Sequence, residues 1–192
     1  MISTYTELVD AVGRWLHRTD LATVIPDFVT MAEGRFNREL RTGDMHTAFT
    51  GTLVDGEVAL PADFLGFVEL RCNGVTLEPK PLEWLRNQPV NASKAGYFAI
   101  SGGNLVCWPT GGDIEGTYYA RIPALQTAST NWLLTESPEL YLYATLQEAG
   151  VYTLDMEQSA MWGARVPVLL DQIKSADVVK KLNGGPLTAR VR

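Results

Sequence analysis

The sequence predicts an α+β fold in which N- and C-terminal helices form one helical bundle with an inserted antiparallel β-hairpin module. Apolar residues recur at helical spacing near both ends of the chain. In the middle, their period changes from 3.6 to 2, which is typical of strands. The predicted parts, in order, are bundle helices at 1–44, a β module at 45–122, bundle helices at 123–183 and a tail at 184–192.

Two helices are predicted in the first part. Thr4 followed by Glu7 is the pattern of a capping box, and an apolar stripe at helical spacing begins beside it. Pro26 suits the first turn of a second helix, whose own stripe ends near Gly43. Each stripe leaves the other side of its helix polar, so the two helices are expected to pack together through their apolar sides.

Three dipeptides predict tight hairpins in the β module. They are Asp55-Gly56, Asn73-Gly74 and Gly102-Gly103, each between runs of β-prone residues. A further strand is predicted in "GTYYARI", and one short helical turn in "PLEWLRNQPVNASKAG". Three consecutive hairpins imply an antiparallel sheet.

The stretch "SPELYLYATLQEAGVYTLD", residues 137–155, is predicted to be a helix that is apolar on nearly every side. Ser137 and Pro138 suit its N-cap and first position. One core stripe comprises Leu142, Tyr143, Leu146, Ala149, Gly150 and Leu154. A second apolar side comprises Leu140, Tyr141, Ala144, Val151 and Tyr152. Two interpretations remain open: the helix is the centre of its own bundle, or its second side meets another subunit.

The chain after residue 155 is expected to form a last helix and a tail. The helix is predicted to run to Leu182 with a kink at Pro167. The tail "NGGPLTARVR" combines a double-glycine hinge with two arginines, and it is interpreted either as a frayed terminus or as an arm that orders on binding.

Composition and charge exclude several functional classes. The net charge of −6 argues against a dedicated nucleic-acid binder. The longest apolar runs are too short for a membrane span, and the first residues lack the features of a signal peptide. Cys72 and Cys107 have no CxxC or histidine partner nearby, so we interpret them as small buried apolar residues.

A search for catalytic motifs predicts no enzyme, no cofactor and no metal. The two histidines, His17 and His46, are expected on a helix surface and at the start of a strand. Phosphate-binding, dinucleotide-binding, zinc-protease and nucleophile-elbow motifs are missing. Glu115, Glu136 and Glu139 with nearby aromatic residues are formal candidates for a sugar-cleaving carboxylate pair. Capping or solvation explains each of these carboxylates more simply.

A positive cluster is expected on the N-terminal helices. It comprises Arg35, Arg38 and Arg41, with Arg14 and Arg18 on the preceding helix. The simpler interpretation is a solvated face with carboxylate partners such as Glu33 and Glu39. The alternative is an electrostatic interface with a neighbouring copy or another protein.

Several segments together resemble the head-to-tail adaptor proteins of tailed bacteriophages, the tail tubular protein A type. They are "YTELVDAVGRWLHRTDLATVIPDFVTMAEGRFNRELR", "LPADFLGFVELRCNGVTLEP", "YFAISGGNLVCWPT" and "YYARIPALQTASTNWLLTESPELYLYATLQEA". The resemblance covers roughly residues 5–165, and the last of these segments is the most characteristic. These segments contain no catalytic motif, so the resemblance rests on their order and spacing.

The resemblance implies a structural virion protein at the head-tail junction, present in the host cytoplasm during assembly. Such adaptors form a twelve-membered ring under the portal, continue the DNA channel without sequence-specific binding, and present a platform for the next tail protein. It further implies portal docking by the tail, through Gly184, Gly185, Pro186, Leu187, Arg190 and Arg192. Two alternatives remain: another tail ring component such as a stopper or tail completion protein, or a carbohydrate-binding or carbohydrate-cleaving module.

Overall fold

The structure is a computed structural model that describes residues 2–87, 96–108 and 110–182, and it is a mixed α/β structure. The chain divides into a helical unit, residues 2–44 with 122–182, and a sheet unit, residues 45–121. The described helices are α1 (Tyr5–Leu16), α2 (Ile25–Glu39), α3 (Leu82–Arg86), α4 (Leu125–Ala128), α5 (Trp132–Glu136), α6 (Pro138–Tyr152), α7 (Met156–Gly163) and α8 (Arg165–Leu182). The strands are β1 (His46–Thr52), β2 (Glu57–Ala59), β3 (Phe64–Cys72), β4 (Val75–Pro79), β5 (Gly96–Ser101), β6 (Asn104–Trp108) and β7 (Asp113–Ala120).

The start of α1 has the predicted cap. The Thr4 hydroxyl accepts a hydrogen bond from the Glu7 backbone N–H at 3.3 Å. The Glu7 carboxylate reaches back to the backbone N–H groups of Ser3, at 2.7 Å, and of Thr4. The reciprocal bond of the capping box is therefore present, and Ser3 adds a stronger bond to it.

Helix α6 is the centre of the helical unit. It packs against α1, α2, α5, α7 and α8. Leu140, Tyr141 and Leu146 have no exposed surface, and the Tyr141 ring meets the Phe36 ring edge to face with 5.0 Å between centroids. The prediction that Leu154 belongs to the core stripe is wrong, because α6 ends two residues earlier and leaves this side chain 80% exposed.

The C-terminal helix is broken where the sequence predicts a kink. Helix α7 ends at Gly163 and α8 begins at Arg165, so Pro167 lies in the first turn of α8. In a continuous helix, proline would clash with the carbonyl four residues earlier and lack the N–H that bonds to it. In a first turn it needs no such bond, so the break costs less than a kink.

Two of the three predicted hairpins are present. Asn73-Gly74 joins β3 to β4, and Gly102-Gly103 joins β5 to β6, all four residues with positive φ. Asp55-Gly56 forms a tight turn, closed by a bridge between Val54 and Glu57, but the strands that it joins do not pair with each other. The prediction of a third hairpin is wrong, since β1 pairs with β7 and β2 with β6.

The seven described strands have the order β1-β7-β3-β4-β5-β6-β2. The prediction of a wholly antiparallel sheet is wrong at one pair, because β4 and β5 run parallel. The outer strands β1 and β2 are joined by the Asp55-Gly56 turn, so the sheet must curve until its two ends meet. A Cβ added to Gly51 on β1 would lie 2.9 Å from a Val58 methyl carbon on β2, which fits this curvature. One apolar core, which includes Leu70, Leu105 and Tyr118, fills its inside.

The α6–α7 contact predicts that two helical glycines respond to alanine in opposite ways. A Cβ on Gly150 would lie 2.9 Å from Ser159 Cβ, whereas a Cβ on Gly13 would meet only the Arg18 carbonyl at 3.7 Å. We expect Gly150→Ala to lower the free energy of unfolding by about 1–3 kcal/mol through overpacking. Gly13→Ala should raise it by up to about 1 kcal/mol through helix propensity. Chemical denaturation measures both, and a stabilising Gly150→Ala would contradict the close packing.

Candidate functional site

A buried polar network joins α2, α6 and the segment that returns from the sheet unit. The Glu33 carboxylate on α2 accepts from the Leu125 backbone N–H at 2.8 Å and also hydrogen-bonds with the Tyr141 hydroxyl. The Asn131 amide donates to that hydroxyl at 2.7 Å and to the Pro123 carbonyl at 2.8 Å. This network is satisfied internally, so it orients the returning segment against α6.

A second contact holds the same segment at its start. The Asn37 side-chain oxygen on α2 accepts from the Ile122 backbone N–H at 2.8 Å. The Asn131 side-chain oxygen also caps α5 by accepting from the Leu134 N–H at 2.9 Å. These side-chain hydrogen bonds position the start of α6. They thereby also position the surface at the C-terminal end of this helix.

Burial perturbs the acid–base groups of the network. Loss of solvent raises the pKa of Glu33 above its ordinary value of 4.5, although the Leu125 N–H opposes the change. Burial also raises the pKa of the Tyr141 hydroxyl, and the Glu33 charge adds to this. Both changes favour the neutral forms, as expected for groups that exchange water for a low-dielectric surrounding.

The proposed interface residues of α6 fall into two groups. Leu140, Tyr141 and Ala144 are buried inside this chain's own helical unit. Val151 and Tyr152 are 47% and 57% exposed, and the Tyr152 ring rests on Phe28 with 5.3 Å between centroids. The chain's own core therefore explains why the first three residues are apolar. Only Val151 and Tyr152 of this set remain candidates for a subunit contact.

The exposed apolar residues at the end of α6 continue into the turn that follows it. We name this surface the apolar turn and define it as Val151, Tyr152, Leu154 and Met156. Leu154 is 80% exposed and has φ of +60°, a conformation that non-glycine residues rarely adopt. Sequence reasoning missed Leu154 and Met156, because periodicity assigns the former to the core and glycine is the usual signal for such a helix end.

The predicted arginine cluster is mostly engaged within the helical unit. Arg35 pairs with Glu39 at 2.7 Å and donates to the Gln147 side-chain oxygen at 3.2 Å. Arg41 donates to the Asn37 carbonyl at 2.8 Å. Arg38 is exposed, and no ion pair to it is present among residues 2–87, 96–108 and 110–182.

The arginines of α1 lie beside a separate groove of the helical unit. Arg14 and Arg18 line this groove, of about 620 Å³, together with apolar residues such as Val9 and Ala22. Arg18 pairs with Asp20 through two hydrogen bonds. Asp10 also lines this groove, so charges of both signs border its apolar lining.

The carboxylates suggested for sugar cleavage are divided between the two units. Glu115 belongs to the sheet unit, whereas Glu136 and Glu139 belong to the helical unit. Glu136 accepts from Lys180 Nζ at 2.9 Å, and Glu139 accepts from the Ser137 hydroxyl at 3.2 Å. Glu136 and Glu139 thus each have a structural partner.

Other site types can be checked only within the described residues. There, no group of three or more histidine, cysteine, aspartate or glutamate side chains could hold a metal ion. Cys72 and Cys107 are free and buried, which confirms their predicted character, and burial raises the pKa of the Cys107 thiol to about 12. No helix in the described part of the chain has the length and hydropathy of a membrane span. The proposed docking residues, Gly184 to Arg192, lie outside the described residues.

Glu33 predicts an unusual pH dependence of stability. Because its pKa is higher in the folded chain than the ordinary 4.5, the folded state binds this proton more tightly than the unfolded state. The resulting stabilisation is complete below 4.5 and is lost as pH rises from there through the folded pKa. We expect the stability difference between the unmodified chain and Glu33→Gln to fall as pH rises, measured by thermal unfolding from pH 4 to 8.

Glu7→Gln is the matched control with the opposite sign. Hydrogen bonds from Ser3 lower the pKa of Glu7, so its stabilisation is present above 4.5 and lost as pH falls through the folded pKa. The difference between the unmodified chain and Glu7→Gln should therefore grow with pH. If the stability difference between the unmodified chain and Glu33→Gln is constant or grows with pH, burial does not raise the pKa of Glu33.

Comparison with known proteins identifies the family. The family model described as SU10 adaptor protein matches residues 3–189 of this 192-residue chain, and thus includes both units. No curated protein matches the chain. The match supports the head-to-tail adaptor function, whereas the tail tubular protein A type stays a prediction. The chain belongs to the SU10 adaptor protein family and is thereby a structural phage protein of the virion head-tail junction.

Proposed function

We propose that this protein is one subunit of a ring of about twelve copies that joins the portal to the tail and continues the DNA channel. The observation that carries this proposal is the adaptor family match over residues 3–189. Each subunit would contact its neighbours, the portal above and the next tail protein below. DNA would pass through the ring without sequence-specific binding.

A closed ring requires two different faces on every copy that fit each other. The apolar turn supports one such face, because it exposes four apolar side chains within six residues of the chain. The strained conformation of Leu154 adds to the argument. An exposed leucine gains nothing in the single chain from a backbone geometry that glycine adopts more readily, whereas an apolar contact in the ring would offset that strain.

The arginine side of α2 supports the second face. Arg38 is exposed, while Arg35 and Arg41 are engaged within the helical unit and keep their charge beside it. An acidic chain with a local positive surface can align its copies through charge complementarity. In the ring, these arginines would face carboxylates of the next copy.

Charge also fits a DNA channel. Each copy has a net charge of −6, so a ring would be strongly acidic. Like charge on the channel wall would repel phosphates and let DNA slide, as general electrostatics requires. The tail residues Gly184, Gly185, Pro186, Leu187, Arg190 and Arg192 would reach the portal, which is the role that the resemblance implies for them.

The ring proposal predicts assembly on the portal. Negative-stain imaging and sedimentation of the purified protein, alone and with portal rings from the same phage, should show a new ring stacked on the portal. A protein that ignores the portal but joins another tail component would instead favour a stopper or tail completion protein. A chain that ends at Leu182 should lose portal binding, and unchanged binding would contradict docking by the tail.

The apolar turn predicts a variant that gains stability and loses assembly. Leu154→Gly removes the strain of a φ of +60° and should stabilise the single chain by about 0.5–1 kcal/mol. The same change removes the most exposed apolar side chain of the proposed face, so ring formation on the portal should fall at least about tenfold.

Asp55→Gly is the matched control. Asp55 also has positive φ, +53°, and lies in a tight turn of the sheet unit. This variant should keep or raise the free energy of unfolding and leave assembly unchanged. Equal assembly by Leu154→Gly and the unmodified chain would exclude Leu154 from the subunit contact.

A further inference from the structure

The helical unit has an acidic groove along α8, from Leu169 to Lys180. We define the acidic groove by its floor and its walls, which enclose about 390 Å³. Leu169, Ile173 and Ala176 supply apolar surface, and the carboxylates of Asp44, Glu136, Glu139 and Asp177 surround it with the ammonium group of Lys180. Four carboxylates against one ammonium group leave the lining negative.

The ion pairs within the groove do not remove this excess. Lys180 Nζ lies 2.9 Å from a Glu136 oxygen and 3.3 Å from an Asp44 oxygen, so one cation serves two carboxylates. Asp177 is buried and satisfied by the Gly43 N–H at 2.7 Å and by Lys181 Nζ at 2.6 Å. Glu139 has no cation within ion-pair distance in the described part of the chain. A ligand for this groove should therefore be basic and partly apolar.

The residues that follow α8 have this chemistry. Ten residues, 183–192, come after Leu182 and read "NGGPLTARVR". Asn-Gly, Gly-Gly and Gly-Pro are turn-forming dipeptides, so the first four residues suit a reversal of direction. The remaining residues include the apolar Leu187 and Val191 and the basic Arg190 and Arg192, without any carboxylate side chain.

The lengths of the segment and the groove agree. Residues 187–192 span about 20 Å when extended. The groove wall from Leu169 to Lys180 on α8 is about 17 Å long at the rise of a helix. A chain that reverses directly after Leu182 would run antiparallel to α8 along the whole groove. Its arginines would then lie in a lining that includes Glu139.

We propose that residues 183–192 bind back into the acidic groove of their own chain. Tethering favours the chain's own segment over a neighbour's, since a short linker corresponds to an effective concentration of about millimolar. The bound tail would be withheld from the portal until a stronger partner displaces it. Binding of the tail to the acidic groove does not require the proposed ring, so it can be measured on the protein alone.

Disulfide trapping in the full chain tests whether the tail binds in the acidic groove. Ala176→Cys lies in the groove, and Val178→Cys, two residues later, points to the opposite side of α8 because each helical residue turns by about 100°. Each is combined with Ala189→Cys in the tail. The native Cys72 and Cys107 are buried and should not compete. We expect the intrachain 176–189 disulfide to form at least about fivefold faster than the 178–189 disulfide under mild oxidation.

Charge variants distinguish specific binding of the tail in the acidic groove from random collision of the two cysteines. The rate of 176–189 disulfide formation should fall toward that of the 178–189 disulfide in two variants. They are Glu139→Gln and the double variant Arg190→Gln with Arg192→Gln. Glu157→Gln on the exposed side of α7 should leave this rate unchanged. Equal rates at positions 176 and 178, or insensitivity to Glu139, would overturn the proposal. Disulfides that form only between chains would overturn binding within one chain.

Discussion

The helical unit depends on the buried Glu33 carboxylate and the groups that satisfy it. A buried carboxylate without partners is strongly unfavourable, so Glu33 requires the Leu125 N–H and the Tyr141 hydroxyl. Those bonds tie α2, the returning segment and α6 into one arrangement. Asn131 extends it by bonding both Tyr141 and the start of α5. Because each group is costly to leave unpaired, the network specifies one arrangement of these elements.

This arrangement determines what α6 presents outside the chain. Its first three turns are enclosed by neighbouring helices, so their apolar character serves the core. Its last residues pass beyond that enclosure and continue into the apolar turn. Gly150 allows α7 to approach α6 closely, because a Cβ at this position would lie 2.9 Å from Ser159 Cβ. The strain at Leu154 is thus located where the chain must reverse and where a neighbouring subunit is proposed to bind.

Charge is distributed unevenly over the helical unit. The exposed Arg38 on α2 and the acidic groove of α8 carry opposite charge, although the whole chain is acidic. An assembly protein benefits from such segregation, since charge complementarity selects partners and orientation more than it adds affinity. A basic tail beside an acidic groove extends the same principle within one chain.

Local chemistry in the sequence determined the elements themselves. The periodicity of α1, α2 and α6, the N-terminal cap at Thr4 and the positive φ at Asn73-Gly74 follow from neighbouring residues alone. The adaptor resemblance likewise came from the order of segments along the chain, and the family match supports it. The tertiary structure decided which strands pair, which sides of α6 are covered, that Glu33 is buried and that Leu154 is exposed. These features depend on contacts between residues distant in the sequence, and neither periodicity nor turn propensity encodes such contacts.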